Sequence, residues 1–572
     1  MARYQEKNLS LVPTVLLLVL AFIVAFAPWT LGMQELSWRE GYLIAQAQGM
    51  EFTPLPIVMA HGEAIPNVTV LFPMLSRVLI EFGCPAEISG RVLSLLGLLG
   101  VTLLVFLVAW RTRKKLSIGA CAAAVMLTNL LAIDKTGDGF AHWLFVLVTF
   151  GGQLLWYYFA ALRGNWSKAW LIGFIACSAG FALRGIVGVI FFMLPLVFMR
   201  RPLGIFQRLR NRGVMLGLGL LLLTILLWYL PYHQEGVRLA ASYPQINFLD
   251  NADYLKHLLT FPWDMGLRVL PWALLAWAPF CVAIQTLDTT PIFSRFLRTL
   301  FLTDFFLLWI TPLDDVYDWL ILLPPLAVMT ALNYELNIRR YGDWYRKLGN
   351  AAAALLLPGS ALMILGFFLL PSHIISEYLH LDRSIGFSND PSVKALGVTA
   401  GIAAAVIALV LLKMREKPPI WCYWLLIALG PLLAYHTIVF PYQAQDEPRR
   451  ERALQLANAL QNDGAKAGTL VYKYDLSDLF AESVYMETAV HKISALSELP
   501  KAEKQVVYLL APSFPNHPER SWKSLLAQPL VSRGRKFNLW RGQWQENEPA
   551  PRKPSPLLQE IARPVSIGGK LP

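Results

Sequence analysis

The sequence predicts a mainly α-helical, multi-pass membrane protein that ends in a small external α/β domain. Three observations lead there. Hydrophobic residues make up 56% of the 572-residue chain and charged residues only 15%. Apolar stretches close to the ~20 residues that a helix needs to cross ~30 Å of hydrocarbon recur from Leu9 to Phe440. After Phe440 the composition turns polar, and the long apolar stretches give way to short runs.

About thirteen spans are expected, over residues 9–31, 88–110, 116–133, 140–162, 168–183, 185–200, 214–231, 271–287, 299–313, 319–334, 349–370, 394–412 and 420–440. An odd number places the termini on opposite sides. Basic residues in short loops stay on the cytoplasmic side of a membrane. Arg111, Arg113, Lys114 and Lys115; Arg200, Arg201, Arg208, Arg210 and Arg212; Arg339, Arg340, Arg346 and Lys347; and Lys413, Arg415 and Lys417 all fall on one side by span parity. This orients the chain with a cytoplasmic N-terminus and an external, periplasmic C-terminal domain, as in a bacterial inner membrane. The net charge of +12 mainly reflects this topology and is no nucleic-acid signature. Arg3, Lys7 and Ala25-Phe26-Ala27 imitate a secretory signal, yet the apolar run from Leu9 to Met33 exceeds a signal core and is expected to be a retained helix. The five cysteines are dispersed and show no metal-ligand spacing.

Three external loops are long enough to hold structure: 32–87, 232–270 and 371–393. Val68 to Phe82 is apolar but short and contains Pro73 and Arg77, which suits a helix lying in the interface. His373, Glu377, His380 and Asp382 fall in the third loop, which reads equally as a solvated connection or a lid. These loops and spans make up a membrane domain over 1–440. Residues 441–542 form the external domain, with an amphipathic helix over 446–463 and strands near 469–472 and 505–511. The Pro-rich segment 543–572 is expected to be a disordered tail.

Chemistry-bearing residues gather in the external loops. Trp38-Arg39-Glu40-Gly41-Tyr42 and His61-Gly62-Glu63-Ala64-Ile65-Pro66-Asn67 lie in the first. Asp134-Lys135-Thr136-Gly137-Asp138 follows on the same side, and together they suggest an enzyme site at a bilayer surface. Each residue also has a plain structural reading. Glu40 can cap its helix or pair with Arg39, and Asp134 and Asp138 can end helices around Gly137 and Gly139. Arg184, between two apolar stretches, can bind helix-end carbonyls. His61 and Glu63 are two groups, too few for a metal site, and suit a turn. Trp263 and Trp272 suit an interfacial belt as readily as a sugar face.

Most of residues 1–540 resembles the GT-C-fold membrane glycosyltransferases that take sugars from polyprenyl-phosphate donors, among them aminoarabinose transferases and protein O-mannosyltransferases. The resemblance rests on Arg39-Glu40-Gly41-Tyr42, Met50, His61-Gly62-Glu63, Pro66-Asn67 with Leu71-Phe72-Pro73, Asp134 and Asp138, Leu183-Arg184-Gly185 with Pro195, Phe261-Pro262-Trp263 and the external α/β domain. The chain departs from the family in three places. The Asp-Glu pair is reduced to Glu40 preceded by Arg39, the Lys-Pro-Pro segment has no lysine, and Asp314-Asp315-Val316-Tyr317-Asp318 replaces a lysine ahead of Leu322-Leu323-Pro324.

The resemblance implies inverting transfer of a sugar from a polyprenyl-phosphate-linked donor to a lipid, glycan or protein acceptor at the external face. Such transfer needs a carboxylate to accept the acceptor's proton and cationic donors to hold the leaving phosphate. Glu40, Asp134 and Asp138 are the candidate catalytic residues, with Glu40 as base and the aspartates orienting acceptor or metal. Arg184 is the candidate holder of the donor phosphate. Arg39, Lys135 and Arg268 are further cationic candidates, and Tyr42, His61 and Glu63 complete the expected substrate-binding set. A divalent metal ion is a possible cofactor, and membrane lipid is a partner. Two other readings stand beside this one. A transporter or flippase would place charges at the bilayer midplane and show internal repeats, whereas these charges gather at one surface. A catalytically silent scaffold subunit is what loss of the family's lysines and acidic pair would leave.

Overall fold

The computed structural model describes residues 10–28, 30–31, 35–52, 55–64, 69–199, 208–234, 251–311, 315–378, 391–414, 418–439, 441–442, 448–466, 469–476, 479–500, 506–515, 520–532 and 534–544. The Pro66-Asn67 segment, Arg200, Arg201, Asp314, His380, Asp382, Arg415, Lys417 and nearly all of the expected tail lie outside them. The described chain separates into two compact units, one of residues 1–450 with 480–485, the other of 451–479 and 486–572.

The first unit is helical. Among the described residues, seven helices are long and apolar enough to cross a membrane: Ala86–Arg113, His142–Leu162, Trp166–Arg184, Arg212–Leu230, Tyr334–Leu369, Pro391–Lys413 and Ile420–Val439. An eighth is obtained if the bent pair Leu116–Leu127 and Leu130–Thr136 is one span. This is a multi-pass membrane protein, and its lipid-compatible surface is visible along single helices. On Ala86–Arg113, for instance, Leu96, Leu103 and Leu107 lie exposed on one face while Leu98, Val101 and Val105 are buried.

Several expected spans are shorter or interrupted. Ile186–Phe198 has 13 residues and is separated from Trp166–Arg184 by Gly185, whose φ of 62° the glycine permits. The expected span 271–287 is a series of short pieces, Ala273–Ala276, Ala278–Phe280 and Val282–Gln285, in a stretch where Pro271 and Pro279 lack amide donors. The 319–334 stretch starts as a 3₁₀ helix over Val316–Leu322 and becomes an α-helix over Leu323–Leu332. In the first external loop, Leu71–Glu81 is a short helix, as the pattern of Val68 to Phe82 predicts.

One break matters most for function. The 54° bend between Leu116–Leu127 and Leu130–Thr136 is built by Thr128 and Asn129. Asn129 caps the second helix by accepting from the Ala132 amide at 2.8 Å, and its Nδ2 donates to the Val125 and Met126 carbonyls. Thr128 Oγ1 accepts from Trp272 Nε1 at 2.9 Å. The freed backbone groups are thus satisfied within the apolar body, and the short second helix carries Asp134 and Lys135.

The second unit is a C-terminal sheet region. Its six-stranded sheet runs in the order Val490–Ile493, Val471–Tyr474, Val507–Ala511, Arg535–Trp544, Arg520–Ser524, with Leu530–Ser532 also pairing to Arg535–Trp544. The first three strands are parallel and the rest antiparallel. Val507–Ala511 is buried at every residue, as its central position requires.

Candidate functional site

The Trp38–Gly49 helix begins with Ser37 as its cap. Ser37 Oγ accepts from the Glu40 amide and the Glu40 carboxylate accepts from the Ser37 amide, a reciprocal capping box. This fixes Glu40 in the first turn, 2% exposed, facing Arg91 at 1% exposure. Arg91 Nε donates to Glu40 Oε1 at 2.8 Å and its NH2 group to Oε2 at 3.2 Å. The Gly139 amide adds a bond of 2.9 Å to Oε1. Each carboxylate oxygen therefore accepts two hydrogen bonds, one of Oε2's coming from Ser37 at 2.8 Å. Burial alone would push the Glu40 carboxyl up. Arg91 and the two backbone amides outweigh it and hold the group below its usual value.

Gly139 links this pair to the next carboxylate. A Cβ at Gly139 would lie 2.9 Å from the Arg91 backbone nitrogen, so only glycine lets the loop come this close to the Ala86–Arg113 helix. Asp138, one residue earlier, accepts a hydrogen bond from the Tyr317 hydroxyl. Its carboxyl is pushed up to about 6, chiefly by burial and next by the Glu40 carboxylate, with Tyr317, Lys135 and Arg91 opposing. Two neighbouring carboxylates thus have opposite tendencies, one held ionised and the other close to neutral pH in its proton affinity.

Tyr317 connects three groups of charge. Lys135 Nζ lies 4.9 Å from its ring centroid, His142 stacks on it at 4.9 Å, and Asp138 takes its proton donor. Lys135 in turn pairs with Asp134 at 3.1 Å, and Arg268 reaches the same Asp134 oxygen at 3.2 Å while covering the Trp319 ring. Tyr435 donates to the other Asp134 oxygen at 3.0 Å. Two partly exposed cations, Lys135 and Arg268, therefore share one carboxylate.

On the other side of Tyr317, His142 Nε2 lies 3.5 Å from Asp315 Oδ2 and 3.9 Å from Asp318 Oδ1. The candidate ligand atoms of these three residues lie within 4.8 Å of one another, a set able to hold a divalent metal ion. Both ring nitrogens of His142 are buried and make no hydrogen bond among the described residues, which suits the ring to act as a nitrogen ligand. One imidazole and two carboxylates suit an ion of Zn²⁺ or Mn²⁺ character. Arg184, the last residue of its helix, contacts the same two carboxylates, Asp318 closely and Asp315 at 3.5 Å.

The remaining expected residues form a separate group. His61 and Gly62 make the tight turn of a hairpin between Met59–Ala60 and Glu63–Ala64, both in the left-handed region at φ 51° and 78°. His61 Nε2 is 2.9 Å from Ser483 Oγ, and its ring stacks on Phe480 at 4.5 Å. Phe480 meets Tyr42 edge-on at 4.8 Å. Arg39 is exposed beside the Trp38 ring. Of the ten candidates, Glu40, Asp134, Lys135, Asp138, Arg184 and Arg268 are thus joined in one network, while Arg39, Tyr42 and His61 lie against Trp38 or Phe480 and Glu63 follows in the His61 hairpin.

Arg91, His142 and Tyr435 are absent from the expected set, and Asp315, Tyr317 and Asp318 enter it only as a departure from the family's lysine. Arg91 had an available signal, since a lone arginine in an apolar helix demands a buried acidic partner. His142 and Tyr435 had none, being ordinary residues at span ends.

Apolar crossing helices, a charged network at the ends of several of them and a C-terminal sheet define a multi-pass membrane protein, and this fold is shared with a solved membrane protein. ArnT from Cupriavidus metallidurans in the apo state superposes with a TM-score of 0.63 over 92% of this chain and 97% of that chain, at 15% identity. The same protein bound to undecaprenyl phosphate gives a TM-score of 0.63, 15% identity, and 93% and 98% coverage. At this identity the likeness establishes the fold. No protein-family model and no curated protein sequence matches the chain.

Proposed function

We propose that this protein is an inverting glycosyltransferase that moves a sugar from a polyprenyl-phosphate donor to a lipid, glycan or protein acceptor, at the outer face of a bacterial inner membrane. The observation that carries this reading is the continuous network from Arg91 and Glu40 through Gly139, Asp138 and Tyr317 to Lys135, Asp134 and Arg268. It holds a carboxylate of raised proton affinity next to two cations at the end of an apolar helical body.

Asp138 serves as the base. Glu40 has no lone pair left for an acceptor hydroxyl, because its oxygens accept from Arg91, Ser37 and Gly139. Its part is to fix the Gly139 loop and keep Asp138 poised. An acceptor hydroxyl adjacent to Asp138 gives up its proton as it attacks the anomeric carbon, and the donor phosphate departs from the opposite face. Lys135 and Arg268 stabilise the leaving phosphate, with Asp134 and Tyr435 setting their positions. A divalent ion held by His142, Asp315 and Asp318 would add Lewis-acid stabilisation of phosphate charge. Arg39, Tyr42, His61 and Glu63 present aromatic and polar groups suited to a sugar or acceptor.

The test is transfer of radiolabelled sugar from a panel of polyprenyl-phosphate donors by the purified full chain in lipid. Wild type should transfer from at least one donor, and Asp138→Asn should lose at least a hundredfold. Absence of transfer from every donor overturns the enzyme reading, and full activity of Asp138→Asn overturns the base assignment.

A further inference from the structure

Arg184 contacts the same carboxylate oxygens that a metal ion held by His142, Asp315 and Asp318 would use. Its NH2 group contacts Asp318 Oδ1 and Asp315 Oδ2, and these are the carboxylate oxygens that lie 3.9 Å and 3.5 Å from His142 Nε2. An ion at ~2.0–2.2 Å from an imidazole nitrogen and two carboxylate oxygens would take up those same lone pairs. With His142 neutral, two carboxylates and one guanidinium leave the cluster with one uncompensated negative charge. A divalent ion alone balances it, whereas ion and guanidinium together would leave a net positive charge, with Asp318 and His142 almost fully buried beside it.

The hold on Arg184 is also incomplete. Arginine binds a carboxylate best through two parallel hydrogen bonds. Here only NH2 reaches the aspartates, and Nε is buried without a hydrogen-bond partner among the described residues. His142 shows the complementary deficit, with neither ring nitrogen hydrogen-bonded among the described residues. The side chain is 23% exposed, and Arg184 is the last residue of its helix, directly before Gly185, so it has room to turn away.

We propose that Arg184 and a divalent metal ion are alternative cations of the His142–Asp315–Asp318 cluster, and that metal binding releases Arg184 to take an oxygen of the donor phosphate. The second half rests on the glycosyltransferase reading above, and the first does not. In the metal-free protein Arg184 neutralises the aspartates and is withheld from substrate. In the metal-loaded protein its guanidinium, with Nε and NH2 both free, has the fork geometry that a phosphate matches. Metal and lipid phosphate then favour each other's binding, and the coupling is reciprocal.

Mn²⁺ alone is titrated into the purified, metal-stripped full chain in nanodiscs, with the free ion followed by its electron paramagnetic resonance signal. Arg184→Ala and Arg184→Gln are expected to bind Mn²⁺ at least tenfold more tightly than wild type, because no resident cation has to be displaced, and His142→Ala at least tenfold more weakly. Thermal melting of each variant identifies any that is unfolded, and the two Arg184 variants check one another. Unchanged or weaker Mn²⁺ binding in folded Arg184 variants overturns the exchange.

The phosphate half is read by binding of undecaprenyl phosphate with and without Mn²⁺. Wild type is expected to gain at least fivefold with Mn²⁺, and Arg184→Gln to lose most of that gain. A gain that persists in Arg184→Gln overturns the role of the released arginine, since the ion itself would then be the contact. Neither measurement requires sugar transfer, so failure of the glycosyltransferase reading is distinguishable from failure of the exchange.

Discussion

Arg91 and Glu40 form a buried ion pair in which Nε and NH2 of the guanidinium each meet a different carboxylate oxygen, at 2.8 and 3.2 Å. The rest of the guanidinium is committed as well, to the Thr30 and Glu35 carbonyls. One salt bridge thereby ties the Trp38–Gly49 helix, the segment before it and the Ala86–Arg113 helix to the Gly139 loop. Removing one member of such a pair leaves the other buried and uncompensated, at a cost of roughly 3–5 kcal/mol. Arg91→Ala is therefore expected to lower the thermal midpoint in detergent sharply. The double variant Arg91→Met with Glu40→Gln should lose less than the two single losses added together. An Arg91→Ala protein that melts with wild type would show that the pair does not hold this part of the fold.

Glu40 also sets a pH dependence. Its folded carboxyl lies below the ordinary value, so its contribution to stability is fully present above the unfolded pKa and is lost as pH falls through the lowered folded value. Asp138 behaves in the opposite sense. Because its carboxyl is raised to about 6, the folded state binds a proton more readily than the unfolded chain, and the stability this confers declines as pH rises toward 6. For catalysis the ionised form counts, so transfer should rise with pH and level off above about 6. Tyr317 donates to Asp138 and favours the ionised form, hence Tyr317→Phe should move that limb to higher pH. A limb that stays in place in Tyr317→Phe would assign the titration to another group.

Much of the membrane body was readable from sequence because a crossing helix is set by length and apolarity, and both are local properties. Ala86–Arg113 and Pro391–Lys413 fall where the expected spans 88–110 and 394–412 lie. The 271–287 stretch shows where that reading stops. Its composition is that of a span, but Pro271 and Pro279 break it into pieces that close their hydrogen bonds locally. The site was readable only in part for a different reason. Acidic residues in polar loops stand out, whereas their partners are decided by packing between distant elements. Glu40 is 51 residues from Arg91, and Asp138 is 179 residues from Tyr317. The saturation of Glu40, which leads us to propose Asp138 as the base, cannot be inferred without knowing which amides and guanidinium face it.

Lys135 and Arg268 converge on Asp134, and both remain partly exposed, with side chains 20% and 33% accessible. Exposed cations that share a single carboxylate have attraction left for an anion. Arg268→Ala is expected to raise the KM for a polyprenyl-phosphate donor about ten- to a hundredfold, and Arg268→Lys to recover part of the loss, since it keeps charge without the fork. Steady-state kinetics in lipid at fixed acceptor decide the point. A fall in kcat with no change in KM would place Arg268 away from the donor's ground state.

Gly41 and Ala481 define the last contact with a direct consequence. The Phe480–Tyr485 helix packs on the Trp38–Gly49 helix so closely that a Cβ at Gly41 would lie 2.4 Å from the Ala481 backbone nitrogen. Around this contact Leu36, Ile44, Ala481 and Val484 form a small apolar core. Tyr485 adds a bond of 2.7 Å from the Leu36 amide, and Ser483 is hydrogen-bonded to His61. Since the obstacle is backbone, a side chain at Gly41 must displace the whole helix, with a cost on the order of 1–3 kcal/mol. Gly41→Ala is therefore expected to raise amide exchange across Phe480–Tyr485 and at the His61 turn, while the Ala86–Arg113 helix exchanges as in wild type. Glu40 lies one residue before Gly41, so the same variant should also reduce transfer by disturbing the Arg91 pair. Unaltered exchange at Phe480–Tyr485 in Gly41→Ala would mean that this helix does not rest on the Trp38–Gly49 helix in the membrane-embedded protein.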